Sequence, residues 1–144
     1  MSTMTREEWK WAATRGFSER EAWGDPYRMD RNLIVGLIEW RDRIRKDFPG
    51  AQVIIHCGYQ ERVSGGEHPK GRAVDLHVTR CPLVDAFLLA ERVGRFGGIG
   101  IYPSWNSPGL HLDTGQAGRR WSKLKGETGY TALNSRAIRE ALNV

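Results

Sequence analysis

Cysteine is scarce in this chain: Cys57 and Cys81 are the two among 144 residues, and neither has a paired spacing to histidine. That excludes a disulfide framework and argues against a zinc finger, so the expectation is two reduced, buried thiols in a chain that folds in the cytoplasm. Long hydrophobic runs are missing as well. Met1 to Lys10 carries Arg6, Glu7, Glu8 and Lys10 where a secretory leader would place an apolar segment, so neither a signal peptide nor a membrane span is expected. There is no internal repeat, no low-complexity linker and no block of one charge sign. Arg41, Arg43, Arg45 and Lys46 are interrupted by Asp42 and followed by Asp47, the pattern of a solvated helix face. The formal charge of +5 permits approach to a polyanion, but its even spread argues against a nucleic-acid partner. The length predicts one domain, residues 1–144, able to bury a core without a staple and expected as a monomer.

Histidine is sparse too, but it is concentrated. His56, His68, His77 and His111 all fall in the middle of the chain, each on or beside a predicted strand. In Ala73 to His77 polar and apolar side chains alternate, which puts Asp75 and His77 on one face of a strand and Val74 and Leu76 on the other. In Gly109 to Asp113, His111 and Asp113 share a face while Leu110 and Leu112 point away. If the two strands are neighbours, four metal-capable side chains meet on one sheet surface, and His68 can reach over from the preceding loop. Two histidines and a carboxylate on a divalent ion, with a position left for water, form the ligand set of a hydrolytic zinc site.

The rest of the chain supplies a frame for that surface. A short helix is predicted from about Thr5 to Thr14, and Ser18 with Glu21 has the spacing of a capping box that would open a second. Asp30 stands as N-cap before Arg31 to Lys46, where Leu33, Leu37, Trp40 and Ile44 recur at helical spacing. Pro49-Gly50 stops that helix, and Gln52 to His56 predicts a strand buried on at least one face. Pro82 opens a helix to about Arg95, Gly97-Gly98 breaks it, and Ile99 to Tyr102 predicts a strand returning through a hairpin loop to His111. The tail shows Arg119-Arg120-Trp121, a glycine-rich loop, and a closing helix near Asn134 to Leu142. The order predicts an α+β domain with a mainly antiparallel sheet, packed by helices and carrying the zinc site on one face.

Gly66-Glu67-His68-Pro69-Lys70-Gly71-Arg72-Ala73-Val74-Asp75 resembles the signature Ser-x-His-x-x-Gly-x-Ala-x-Asp, matching at His68, Gly71, Ala73 and Asp75. The family is that of the zinc D-Ala-D-Ala carboxypeptidases and phage peptidoglycan endopeptidases, in the lysostaphin, D-Ala-D-Ala metallopeptidase and hedgehog superfamily. The later stretch from Gly97 through Leu110-His111-Leu112-Asp113, with Arg119-Arg120-Trp121 after it, is similar to that family's second element. The resemblance covers most of the chain. It implies His68, Asp75 and His111 as ligands of Zn2+. It also implies a substrate in the stem peptides or cross-links of peptidoglycan, at bonds involving D-amino acids. Synthesis without a leader would then suit a prophage-type endolysin acting on the wall after release.

Three positions depart from the family pattern. Pro108 stands where many relatives place an acidic general base three residues before the last ligand histidine. Asp113, on the face of His111, is the candidate for that catalytic role or for orienting the ligand from behind, with Glu67 and His77 in reserve. The family's Ser-Gly-Tyr-Arg is Cys57-Gly58-Tyr59-Gln60 here, so Tyr59 and Gln60, with Arg62 from the same loop, are the substrate-binding candidates, and Gln60 lacks the arginine's charge. Gly66 replaces the signature's serine. These departures leave a rival to the peptidase, a non-catalytic zinc-containing module of the same fold that binds a wall peptide or a protein.

Overall fold

The computed structural model describes residues 2–61 and 65–144. Its regular elements are α1 (Arg6–Ala13), α2 (Arg31–Asp47), β1 (Gln52–Cys57), β2 (Ala73–Thr79), α3 (Leu83–Val93), β3 (Gly98–Tyr102), β4 (Gly109–Asp113), β5 (Arg119–Ser122), β6 (Thr131–Ala132) and α4 (Ser135–Leu142). The strands form one sheet in the order β1-β2-β4-β3-β5-β6. Every junction is antiparallel except β3 with β5, which run parallel. The α+β class and the mainly antiparallel sheet are therefore as expected. The parallel pair is not: no strand is predicted at Arg119-Arg120-Trp121, because four residues are too few to show a period. Among the described residues no helix is long and apolar enough to cross a membrane.

Local sequence explains the helix starts. Thr5 opens α1 with a complete capping box, its hydroxyl accepting from Glu8 N at 3.2 Å while Glu8 Oε1 accepts from Thr5 N at 2.9 Å. Asp30 caps α2 by accepting from Leu33 N at 3.3 Å. The expected helix after Ser18 does not form. Glu21 does reach back to Ser18 N at 2.6 Å, yet the chain turns, because Trp23 is fully buried against Trp9 and Phe17 and its indole donates to Ser18 O at 2.7 Å. Burying that ring outweighs the propagation of a few helical residues. At the other end, α3 stops at Val93 rather than Arg95 because Gly94 takes a left-handed conformation with φ of 70°.

The sheet has two unlike faces. One carries Val74, Leu76, Ile99, Ile101, Leu110 and Leu112, all nearly or fully buried in the same core as Leu33, Leu37, Trp40 and Ile44 of α2 and Ala86, Phe87 and Ala90 of α3. Each such aliphatic side chain contributes about 1.5–3 kcal/mol through removal from water. Trp40 ties α2 to α3 by donating its indole N–H to Ala86 O at 2.9 Å. With α2 and α3 packed into the core on the apolar side, the sheet's other face holds polar side chains.

Candidate metal centre

Register places those side chains. Asp75 of β2 lies directly opposite His111 of β4, and on its other side opposite Cys57 of β1. The second pairing depends on a β-bulge. Ile55 pairs with Leu76 and Cys57 with Asp75, so His56 is inserted and both His56 and Cys57 stand opposite one residue of β2. Unbroken alternation would have turned Cys57 to the face of Ile55. The outcome is a row across the sheet, Cys57, Asp75, His111, Gly100 and Trp121. In the next row toward the end of the strands, Ala73, Asp113, Gly98 and Arg119 pair in turn. A Cβ at Gly98 would collide with the Asp113 carboxylate, so the bare backbone of β3 makes room for it.

His68 comes from the loop ahead of β2, in a single 3-10 turn, His68–Lys70, closed by Gly71 at φ of 68°. Any side chain at Gly71 would also run into the Arg28 carbonyl, and Gly71 O accepts from Asp30 N at 2.8 Å. The loop is thereby pinned to the start of α2.

The donors gather about Asp75 at metal-ligand spacing. His68 Nε2 is 3.5 Å from Asp75 Oδ2, Cys57 Sγ is 3.3 Å from the same oxygen, and His111 Nδ1 is 3.0 Å from Asp75 Oδ1. Metal–donor bonds of 2.0–2.3 Å in a tetrahedron put donor atoms roughly 3.3–3.8 Å apart, so these contacts are of the right order. One ligand atom each from Cys57, His68 and Asp75 lie within 4.8 Å of one another; His111 is not in that mutual group and approaches the opposite oxygen of Asp75. The thiol had no assigned part in the sequence-based expectation. Both cysteines are free and half-buried rather than buried, and Cys57 adjoins the site.

The partners behind the donors fit a cation. His68 Nδ1 donates to Gly58 O at 2.7 Å, which turns Nε2 toward Asp75. His111 Nε2 donates to Asp113 Oδ2 at 2.7 Å, and Asp113 Oδ1 accepts from Gly115 N at 2.9 Å and from the Arg119 guanidinium. Burial opposes the charge on His111, but its bonds to Asp113 and Asp75 prevail and raise its pKa above 6.5. Burial likewise opposes ionisation of Asp75, and bonds from His111 and His68 overcome it and hold the carboxyl below its usual range. Asp113 behaves alike, burial being outweighed by His111, Arg119 and Gly115 N. Burial, with Asp75 alongside, pushes the Cys57 thiol up to about 12, so without a metal it stays protonated and donates to Asp75. A divalent cation would take the place of the proton on His111 Nδ1.

The donors open into a cleft of about 840 Å3 that Gln60, Glu67, Asp113 and Arg119 also line, with an aromatic wall of Tyr102, Trp105, Trp121 and Tyr130. Tyr102 and Trp105 stack at 4.3 Å, and Trp121 Nε1 donates to the Tyr102 hydroxyl at 2.6 Å. Among the sequence candidates, Gln60 therefore reaches the cleft. Tyr59 does not line it: the ring lies under Arg28, in a separate pocket with Thr3 and Lys70. Arg62 lies outside the described residues. His77 pairs with His56, ring nitrogens 2.5 Å apart, and with Pro108 lines a different, smaller cavity. Arg119, Trp121, Tyr102 and Trp105 were not among the sequence candidates. Alternation within Arg119–Ser122 could have put Arg119 and Trp121 on one face, had the segment been recognised as a strand.

No protein-family model matches the chain. It is 31% identical over 108 residues to MepK of Haemophilus influenzae, a probable peptidoglycan L,D-endopeptidase, in a match covering 66% of this chain and 55% of that protein. The chain thus spans about half the length of the relative it matches.

Proposed function

We propose that the chain is a zinc-dependent peptidase that hydrolyses peptide bonds of peptidoglycan, at positions involving D-amino acids. The observation that supports this above others is that His68 Nε2 and His111 Nδ1 approach the two oxygens of Asp75 in an open cleft. The similarity to a peptidoglycan endopeptidase supports the substrate class. A divalent ion held there would polarise the scissile carbonyl and acidify the attacking water.

The remaining work falls to the chain. Gly58 O and Asp113 fix the tautomers of the two imidazoles. Of the two roles open to Asp113, its fully engaged oxygens favour orienting His111 over accepting a proton. Glu67 suits the proton-transfer role better, because it lines the cleft next to His68 and its Oε2 is buried with no hydrogen-bond partner among the described residues. Gln60 offers an amide to the substrate backbone, while Arg119 and Lys123 set positive charge along the cleft where Gln60 has none.

The rival reading, a non-catalytic zinc module that binds a wall peptide or a protein, is favoured by one observation: a thiol stands beside Asp75, where it can fill the position a water needs. Incubating the protein with purified peptidoglycan separates the two. A peptidase releases new amino groups, loses that activity to a chelator and regains it with zinc. Binding to the sacculus with no chelator-sensitive release would overturn the enzyme and leave the module.

A further inference from the structure

We propose that Cys57 is a thiolate donor to the ion held at His68 and Asp75, which makes this a sulfur-containing metal centre. This rests on the metal-site reading above and extends it.

Three observations carry the inference. The bulge at His56 brings Cys57 opposite Asp75, onto the face that bears the imidazoles. Its Sγ lies 3.3 Å from Asp75 Oδ2, the oxygen that also faces His68 Nε2 at 3.5 Å. The ligand atoms of Cys57, His68 and Asp75 lie mutually within 4.8 Å, so small side-chain rotations suffice to place all three on one ion. His111 approaches the other oxygen of the same carboxylate, so thiol and imidazole flank Asp75 from opposite sides.

The chemistry of the step is simple. As the sulfur–metal bond forms, the thiol S–H proton goes to solvent and the hydrogen bond to Asp75 is lost; no electron is transferred. A thiolate favours Zn2+, Co2+ or Cd2+ over Mg2+, Ca2+ or Mn2+, which the oxygen and nitrogen donors alone discriminate less. With His111 also bound, four protein donors would complete a tetrahedron, and water would enter by displacing the thiolate or as a fifth ligand.

Cobalt substitution tests this by a readout other than turnover. The Co2+-loaded protein should show a near-ultraviolet thiolate-to-cobalt charge-transfer band beside its visible d–d bands. Cys81→Ser should keep that band, since Cys57 is then the one thiol left. Cys57→Ser should lose it and retain the visible bands with about one cobalt per chain. Visible bands without charge transfer in both the wild type and Cys81→Ser would overturn the thiolate and leave the metal site standing. No bound cobalt in the wild type would overturn the metal site and this inference together. Should Cys57→Ser fail to fold, the Cys81→Ser spectrum decides alone.

Discussion

His111 sits between two carboxylates, Asp75 on Nδ1 and Asp113 on Nε2, and that arrangement sets the behaviour of the site. Without a metal the two carboxylates favour the protonated ring, and its raised pKa stabilises the fold. That contribution is complete below the unfolded value of 6.5 and lost as pH rises through the folded one. Asp75, with its pKa lowered from 3.8, contributes above that value and loses the contribution as pH falls further. Thermal melts in chelator should therefore fall off on both sides, the alkaline fall beginning above pH 6.5. With zinc the alkaline fall should vanish, because the ion replaces the proton; melts that remain equally pH-dependent above 6.5 would contradict the assignment. Asp113→Asn should weaken metal binding about 10- to 100-fold, as loss of a histidine's orienting carboxylate generally does. Competition against a chromophoric chelator measures it. Glu67→Gln should instead leave metal affinity within about twofold and abolish most turnover, since its proposed role is proton transfer rather than ligation.

Asp30 connects two elements by more than its cap. Its carboxylate accepts from Leu33 N and from the Thr114 hydroxyl, and its backbone N–H donates to Gly71 O. The start of α2, the loop that carries His68 and the end of β4 are joined at this residue. Asp30→Ala should cost about 1–2 kcal/mol, the upper part of the range for a lost N-cap, as read from urea unfolding, with a weakened hold on metal alongside. At the beginning of the chain, Glu8 pairs with Arg31, one contact being 2.9 Å from Nη2 to Oε1, and fixes α1 against α2. The Arg31 hydrogen bond pulls the Glu8 pKa from 4.5 to about 2. Its contribution is present above pH 4.5 and is lost as pH falls through about 2. Glu8→Gln should lower stability at neutral pH and flatten that acid limb; an unchanged acid profile would show the pair to be idle.

The molecule divides its labour between the faces of a single sheet. Helices α2 and α3 share the core on the apolar face, so core and site share strands without sharing side chains. Leu76 shows the consequence: it is fully buried while its chain neighbours Asp75 and His77 point the other way. Leu76→Ala should cost about 2–5 kcal/mol through lost burial and cavity formation, measured by urea unfolding, while metal stoichiometry in the folded fraction stays unchanged. Loss of metal from well-folded protein would show that core packing also sets the ligand geometry.

Alternation in β2 and β4 and the spacing of apolar residues in α2 and α3 are local properties, and they determined the α+β class, the inward leucines and the shared face of Asp75 and His111. Capping chemistry likewise settled where α2 begins. Long-range contact decided the rest. The bulge that turns Cys57 toward Asp75 is a matter of how β1 registers against β2, and no period within β1 announces it. The short β5 becomes a strand only because β3 is there to pair with it, and Trp23 replaces a promised helix by a turn because the core accepts its ring. Donor distances around Asp75 arise where three separate stretches of the chain meet, and such spacing exists only once the chain is folded.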